Sequence, residues 1–258
     1  MAKVINPLKP IKDIVDLWRS DLPDDYSEDK EMTLLEHLEE LRNRLLVVAV
    51  AVVVSTAVGM LFGFQAVELL KVPAPEGLKF IAIDVTETFV TYFKVALLAG
   101  IGLSMPIIFY QLIRFVAPAM TRREKRLLVS VLPMIGFFFV AGVAFGYFIT
   151  LRFALGFLLG FGVDLAQPTI RISNYISFVI TILFWMGMSF QLPVVLYALA
   201  KLGIVSPRRL ASFRRYAILI AFIVAAIVTP TPDPLNQTLV ALPMIVLYEV
   251  GILLGRIG

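Results

Sequence analysis

Long, nearly uncharged apolar runs dominate this chain and leave it little choice of environment. The first, Leu45–Phe64, is continuous and carries no charge. A second runs from about Phe89 to Phe115, broken by Lys94 and Pro106; a third, Leu127–Leu151, holds Pro133; a fourth, Ile172–Leu199, holds Gln191 and Pro193. The fifth and sixth, Tyr216–Thr229 and Leu239–Leu254, are short, at 14 and 16 residues. A helix needs about 20 apolar residues to cross a bilayer core of about 30 Å. Composition agrees with a bilayer: 59% of residues are hydrophobic and 16% charged, where soluble domains carry about a quarter charged. A strand-built barrel would alternate polar and apolar positions, and these runs are solid. The expected fold is an all-α integral membrane protein of six transmembrane helices, with the fifth and sixth spans short.

Orientation follows from the basic residues. Arg42, Arg44, Arg114, Arg122, Arg123, Lys125, Arg126, Lys201, Arg208, Arg209, Arg214, Arg215 and Arg256 fall on one side of that topology. Only Lys71, Lys79, Arg152 and Arg171 fall on the other. The positive-inside rule then puts both termini in the cytoplasm. Residues 1–43 are polar and contain eleven Asp or Glu, so no cleavable signal sequence opens the chain and the first span is expected to act as an uncleaved anchor. Two regions result: a cytoplasmic N-terminal region, 1–43, and a membrane domain, 44–256. Within the first, Ile11, Ile14, Val15, Trp18 and Leu22 suit either a short interfacial helix or an acidic tail. Residues 65–88 are read as a loop capping the bundle, 152–171 as a second outer loop, and Pro230–Pro234 as a proline-rich turn.

The chain has no cysteine, which excludes disulfides and thiolate metal sites. It lacks a phosphate-binding G-x-x-x-x-G-K-[ST] loop, an H-E-x-x-H zinc motif and a G-x-S-x-G elbow. Asp84, Asp164 and Asp233 fall in expected loops, so no intramembrane aspartate pair is available for proteolysis. No catalytic residue, metal or cofactor is expected. Four segments stand out instead. Residues 37–45, His-Leu-Glu-Glu-Leu-Arg-Asn-Arg-Leu, sit at the mouth of the first span. Residues 115–126 run Phe-Val-Ala-Pro-Ala-Met-Thr-Arg-Arg-Glu-Lys-Arg, with Glu124 the one acid among basic residues. Phe190-Gln191-Leu192-Pro193 places an amide inside the fourth span, where a polar group marks either function or helix packing. Pro230-Thr231-Pro232-Asp233 leads to Asn236-Gln237-Thr238 and then to Glu249 near the end of the sixth span.

The patterns H-L-x-E-L-R-x-R-L, F-x-A-P-A-x-x-x-x-E-x-R, S-F-x-x-P and T-P-x-x-D with N-Q-T, in this order, resemble the TatC family over roughly residues 33–256. The resemblance implies a receptor subunit of the twin-arginine export system in a bacterial plasma membrane, binding the signal peptides of folded precursors on the cytoplasmic side. It implies small single-span partners of the TatA and TatB types, an oligomeric complex, a lipid bilayer around it, and no nucleic acid. Carried over residue by residue, the recognition positions are Glu40 and Arg42 in the N-terminal segment and Phe115, Pro118 and Glu124 in the first cytoplasmic loop. Carboxylates suit paired guanidiniums because Arg–carboxylate bonding is bidentate, whereas Lys is a point charge. Gln191 is the intramembrane position for docking a partner; many family members carry Glu there, and an amide cannot titrate. Asp233, Gln237 and Glu249 complete the family positions.

Six helices, each about 10 Å across, cannot ring a folded domain roughly 30 Å wide. With no nucleotide motif, energy is expected from the proton-motive force and the passage from an assembly of subunits. The short fifth and sixth spans predict a locally thinned bilayer, and Pro106, Pro133, Pro193 and Pro243 predict kinks. The residues alone also admit a secondary transporter of a small solute. That class should show paired repeats and buried ionisable groups at mid-membrane, and Lys94 with Gln191 is a thin set.

Overall fold

The computed structural model describes residues 34–75, 78–116, 121–160, 169–229 and 233–257. The possible helix near Trp18, Pro118, Asp164 and Thr231 lie outside them. The described residues are mainly helical, joined by short turns, with one two-residue strand pair. In order it forms α1 (Leu34–Leu61), α2 (Gly63–Lys71), β1 (Phe80–Ile81), α3 (Glu87–Val116) and α4 (Arg122–Phe145). A π-turn (Gly146–Thr150) leads into α5 (Leu151–Gly160), followed by β2 (Ile170–Arg171), α6 (Ile172–Ser189) and α7 (Leu192–Lys201). The short α8 (Pro207–Ser212), then α9 (Arg214–Val228) and α10 (Pro234–Ile257), complete it.

The core is centred on α6. Ile176, Val179, Ile182, Leu183 and Met186 recur at helical spacing and are buried against Leu151 and Leu155 of the third segment and Ala221, Ala225 and Val228 of α9. Small residues set the closest approaches, because packing within a bilayer relies on van der Waals contact rather than on exclusion of water. A Cβ built on Gly142 of α4 would fall 2.6 Å from the Met186 carbonyl oxygen. One built on Gly100 of α3 would fall 2.6 Å from the Thr56 backbone nitrogen of α1. Only glycine permits those two crossings.

Among the described residues, five helical stretches are long and apolar enough to span a membrane: Leu35–Leu61, Glu87–Phe115, Leu127–Gly160, Ile172–Lys201 and Pro234–Arg256. The fifth apolar run is short as a helix as well, and it is not one of these stretches. α9 has 15 residues, about 22 Å. α10 is corrected to 24 residues, since Pro234, Asn236, Gln237 and Thr238 wind into its first turns ahead of the apolar run. Asp233 starts that helix: its carboxylate accepts the Asn236 backbone N–H at 2.7 Å, and Pro234 at the first position needs no partner for a missing N–H.

Other boundaries also move. α4 begins at Arg122, so the basic residues of the expected loop form its opening turns, and the third segment continues to Gly160 instead of ending at Leu151. The outer loop 65–88 contains α2 in its first part. Pro106, Pro133 and Pro243 are accommodated inside continuous helices, whereas the fourth segment divides at Phe190-Gln191. Pro193 has no N–H to offer Ser189, so the helical ladder stops there and resumes one turn later. α1 runs unbroken through residue 43, and the boundary there is one of composition.

Candidate functional site

At the end of the bundle rich in arginine, the first turns of α1 lie beside the last turn of α3. Helical spacing puts His37, Glu40 and Arg44 on one face of α1, while Arg42 turns away from it. Arg44 grips Glu40 through both Nε, at 3.0 Å, and Nη2, and its Nη1 donates to Gln111 Oε1 of α3 at 3.2 Å. The His37 ring stacks on Phe115, with centroids 4.3 Å apart and planes inclined by 17°. Both side chains of the Glu40–Arg44 pair are mostly buried, at 17% and 16% exposure. Glu40 Oε1 is engaged by Arg44. Its Oε2 is buried and has no hydrogen-bond donor among the described residues; His37 Nδ1 stands at 3.9 Å.

The expected recognition residues therefore separate into groups. Glu40 and Phe115 are brought into one niche with His37 between them. Arg42 is exposed and paired with Glu39 at 3.4 Å, outside that niche. Glu124 is the third residue of α4 and closes a capping box: it accepts from the Thr121 backbone N–H at 2.7 Å and from Thr121 Oγ1 at 2.9 Å, and its own N–H is offered to that hydroxyl. An acid at a helix N-terminus is also favoured by the helix dipole. Arg44 and Gln111 were missed as site residues. The signal for Gln111 was available, as an amide inside the second apolar run, between Tyr110 and Leu112.

Gln191 is buried at the α6–α7 break, and its Nε2 donates to the Ile135 carbonyl of α4 at 3.0 Å; Oε1 has no partner among the described residues. Gln237 Nε2 ties α10 to α9 by donating to the Phe222 carbonyl at 3.0 Å. Glu249 receives Arg214 through Nε and Nη2, each at 2.7 Å, so this carboxylate near the end of α10 is one half of a bidentate pair.

A second polar cluster occupies the opposite end of the molecule. β1 and β2 pair in parallel, Phe80 with Ile170 and Ile81 with Arg171, which delivers Arg171 to Asp84 and Glu87. Glu87 Oε2 accepts from the Ile83 N–H at 2.8 Å, the Asp84 N–H at 3.3 Å and Arg171 at 3.1 Å; Oε1 accepts from the Ser173 N–H at 3.2 Å. Hydrogen bonding to Glu87, then to Asp84, raises the pKa of Arg171 above the ordinary arginine value and makes it a fixed cation. Tyr147 and Tyr175 donate to the carbonyls of Leu69 and Leu70 and so satisfy the C-terminal end of α2.

These features define a polytopic helical membrane protein with an arginine-gripped carboxylate niche at one end and a pinned cap at the other. Residues 36–243 match the family described as Sec-independent protein translocase protein (TatC). The chain belongs to the TatC family. It is 41% identical over 230 residues to a Sec-independent protein translocase protein TatC of Carboxydothermus hydrogenoformans, covering 89% of this chain and 95% of that one. It is 37% identical to the protein of that name from Escherichia coli, covering 86% and 88% of the two. A crystal structure of a twin arginine translocase receptor, TatC, superposes with a TM-score of 0.76 at 38% identity, covering 86% of this chain and 99% of that one.

Proposed function

We propose that this chain is the receptor subunit of a twin-arginine export system, and that the niche around Glu40 takes a guanidinium of the signal peptide. The orientation that supports this has both termini and the arginine-rich end in the cytoplasm, by the excess of basic residues there. The observation that carries the reading is the half-used carboxylate: Glu40 Oε2 is shielded from water and lacks a donor, beside an aromatic face made by His37 and Phe115. A buried acceptor without a donor is costly. An incoming guanidinium offers N–H groups to that oxygen and a flat face to the ring stack, whereas an ammonium offers no plane. Phe115, Pro118 and Glu124 complete the recognition surface from the first cytoplasmic loop, and Arg42 contributes from the exposed side of α1.

In this reading the membrane domain makes six crossings, with α9 forming a short hairpin with α10, and the bilayer thins beside it. Single-span subunits of the TatA and TatB types dock on the spans, with Gln191, Gln237 and Glu249 as polar positions, and the proton-motive force drives passage. The chain itself is not an enzyme. Gln191 does not titrate, so proton uptake in this protein occurs elsewhere. The alternative, a small-solute transporter, gains no support from Gln191, which carries no ionisable group and whose Nε2 donates to the Ile135 carbonyl.

The test is binding of a twin-arginine signal peptide to the detergent-solubilised protein, with a twin-lysine peptide as control. The expected result is a preference for arginine of at least tenfold that Glu40→Gln abolishes. Equal affinity for both peptides in the wild type would remove the receptor assignment from this niche.

A further inference from the structure

A groove of about 280 Å³ opens on the side of the bundle between α3 and α6, lined by Leu97, Ile101, Ile180, Phe184 and Trp185, with Lys94 at one end. Lys94 is half-buried, seven residues into α3, about 10 Å below its Glu87 end. Its Nζ meets Ser177 Oγ at 3.1 Å, and among the described residues no carboxylate lies within ion-pair distance. From the level of Ser177 the lining continues along α6 to Trp185, eight residues or about 12 Å deeper. The groove is thus amphiphilic in one direction: a cation with a hydroxyl at the top, and apolar walls running toward mid-membrane.

A cation held in that position is expensive unless an anion or water reaches it. A long lysine stem lies along apolar surface and lifts its ammonium toward the interface. The molecule with matching polarity is an anionic phospholipid of the leaflet at the Arg171 end. We propose that this groove is a binding site for one such lipid, its phosphate on Lys94 and its acyl chain along Leu97, Ile101, Phe184 and Trp185. The site is separate from the Glu40 niche and stands whether or not that niche binds signal peptides. Charge complementarity favours a lipid over a second helix: the groove supplies one ammonium and two turns of apolar wall, enough for a chain but without a long helical seam of small residues.

The two tryptophans are Trp18 and Trp185, so Trp18→Phe leaves a single reporter in the groove. The purified full-length protein in mixed micelles is titrated with phosphatidylglycerol or phosphatidylcholine brominated in mid-chain, and quenching of Trp185 is followed. The expected result is an apparent association about fivefold tighter for phosphatidylglycerol, the size of one basic residue's interaction with anionic lipid. Lys94→Met should remove that preference and Lys94→Arg should keep it, with thermal unfolding of each variant recorded to show that it is folded. No headgroup preference in the wild type, or a preference that survives Lys94→Met, overturns the site. A photo-crosslinker at Leu97 in intact membranes supplies a second arm. Adducts of lipid mass support the proposal; adducts of protein mass alone overturn it in favour of a partner helix.

Discussion

Two shielded carboxylates, at opposite ends of the molecule, show how the same side chain serves two purposes. Glu87 starts α3 and uses both oxygens, taking three backbone N–H groups and the Arg171 guanidinium. Glu40, at the cytoplasmic end in the proposed orientation, uses one oxygen on Arg44 and leaves the other without a donor. A fully bonded buried carboxylate locks local structure, and a partly bonded one retains capacity for another ligand. The first pins β1, β2 and the start of α6 to α3; the second is held in place and still available.

Breaking this contrast should separate binding from stability. The largest effect is expected from Glu40→Ala on a twin-arginine peptide: a loss of about 1.5–3 kcal/mol, the worth of hydrogen bonds to a charged group, or tenfold or more in Kd by titration. The unfolding temperature should fall too, since Ala leaves the mostly buried Arg44 with Gln111 alone; Glu40→Gln keeps an oxygen for Arg44 and should lose peptide affinity with a smaller change in unfolding temperature. Glu87→Gln should do the reverse. It weakens the bond to Arg171, so thermal unfolding in detergent should begin several degrees lower while the remaining folded protein binds peptide normally. A fall in affinity with unchanged stability would undo the division of labour.

Glu124 sharpens the comparison because its carboxylate already serves Thr121. Glu124→Gln preserves a capping box, which accepts either residue, and removes the charge; Glu124→Ala removes both, costing about 1 kcal/mol of helix stability. If Glu124 also binds guanidinium, the Gln variant should lose peptide affinity severalfold with no change in unfolding temperature. Smallest of all should be Arg214→Ala. Its pair with Glu249 is 48% and 39% exposed, and such pairs contribute about 0–1 kcal/mol, a shift near the limit of a thermal scan.

Much of the architecture was legible because apolar run length and a bilayer's thickness are strong constraints. The first four spans were found that way. The sixth was read too short because hydropathy stops where Asn236 and Gln237 begin, yet Asn236 Nδ2 donates to Asp233 and Gln237 Nε2 to the Phe222 carbonyl, and the helix includes them. The site was legible in part. Glu40 and Phe115 carried sequence signals, but their shared niche depends on α1 lying against α3, a contact made through Thr56 and Gly100 that no local pattern announces. Glu87 and Arg171, 84 positions apart, meet only because two dipeptide strands pair, and strands that short leave no periodicity to read.

α1 is a single rod of 28 residues whose chief neighbour is α3. Only 11% of its most apolar window is buried, against 56% for the fourth segment. Its tightest crossing is at Thr56, about 24 Å from Glu40 and about 8 Å from Leu61. Such a rod is a lever with unequal arms. A sideways displacement of 3 Å at Glu40 arrives at Leu61 reversed and reduced to about 1 Å, at the far surface of the bilayer and without any change of secondary structure.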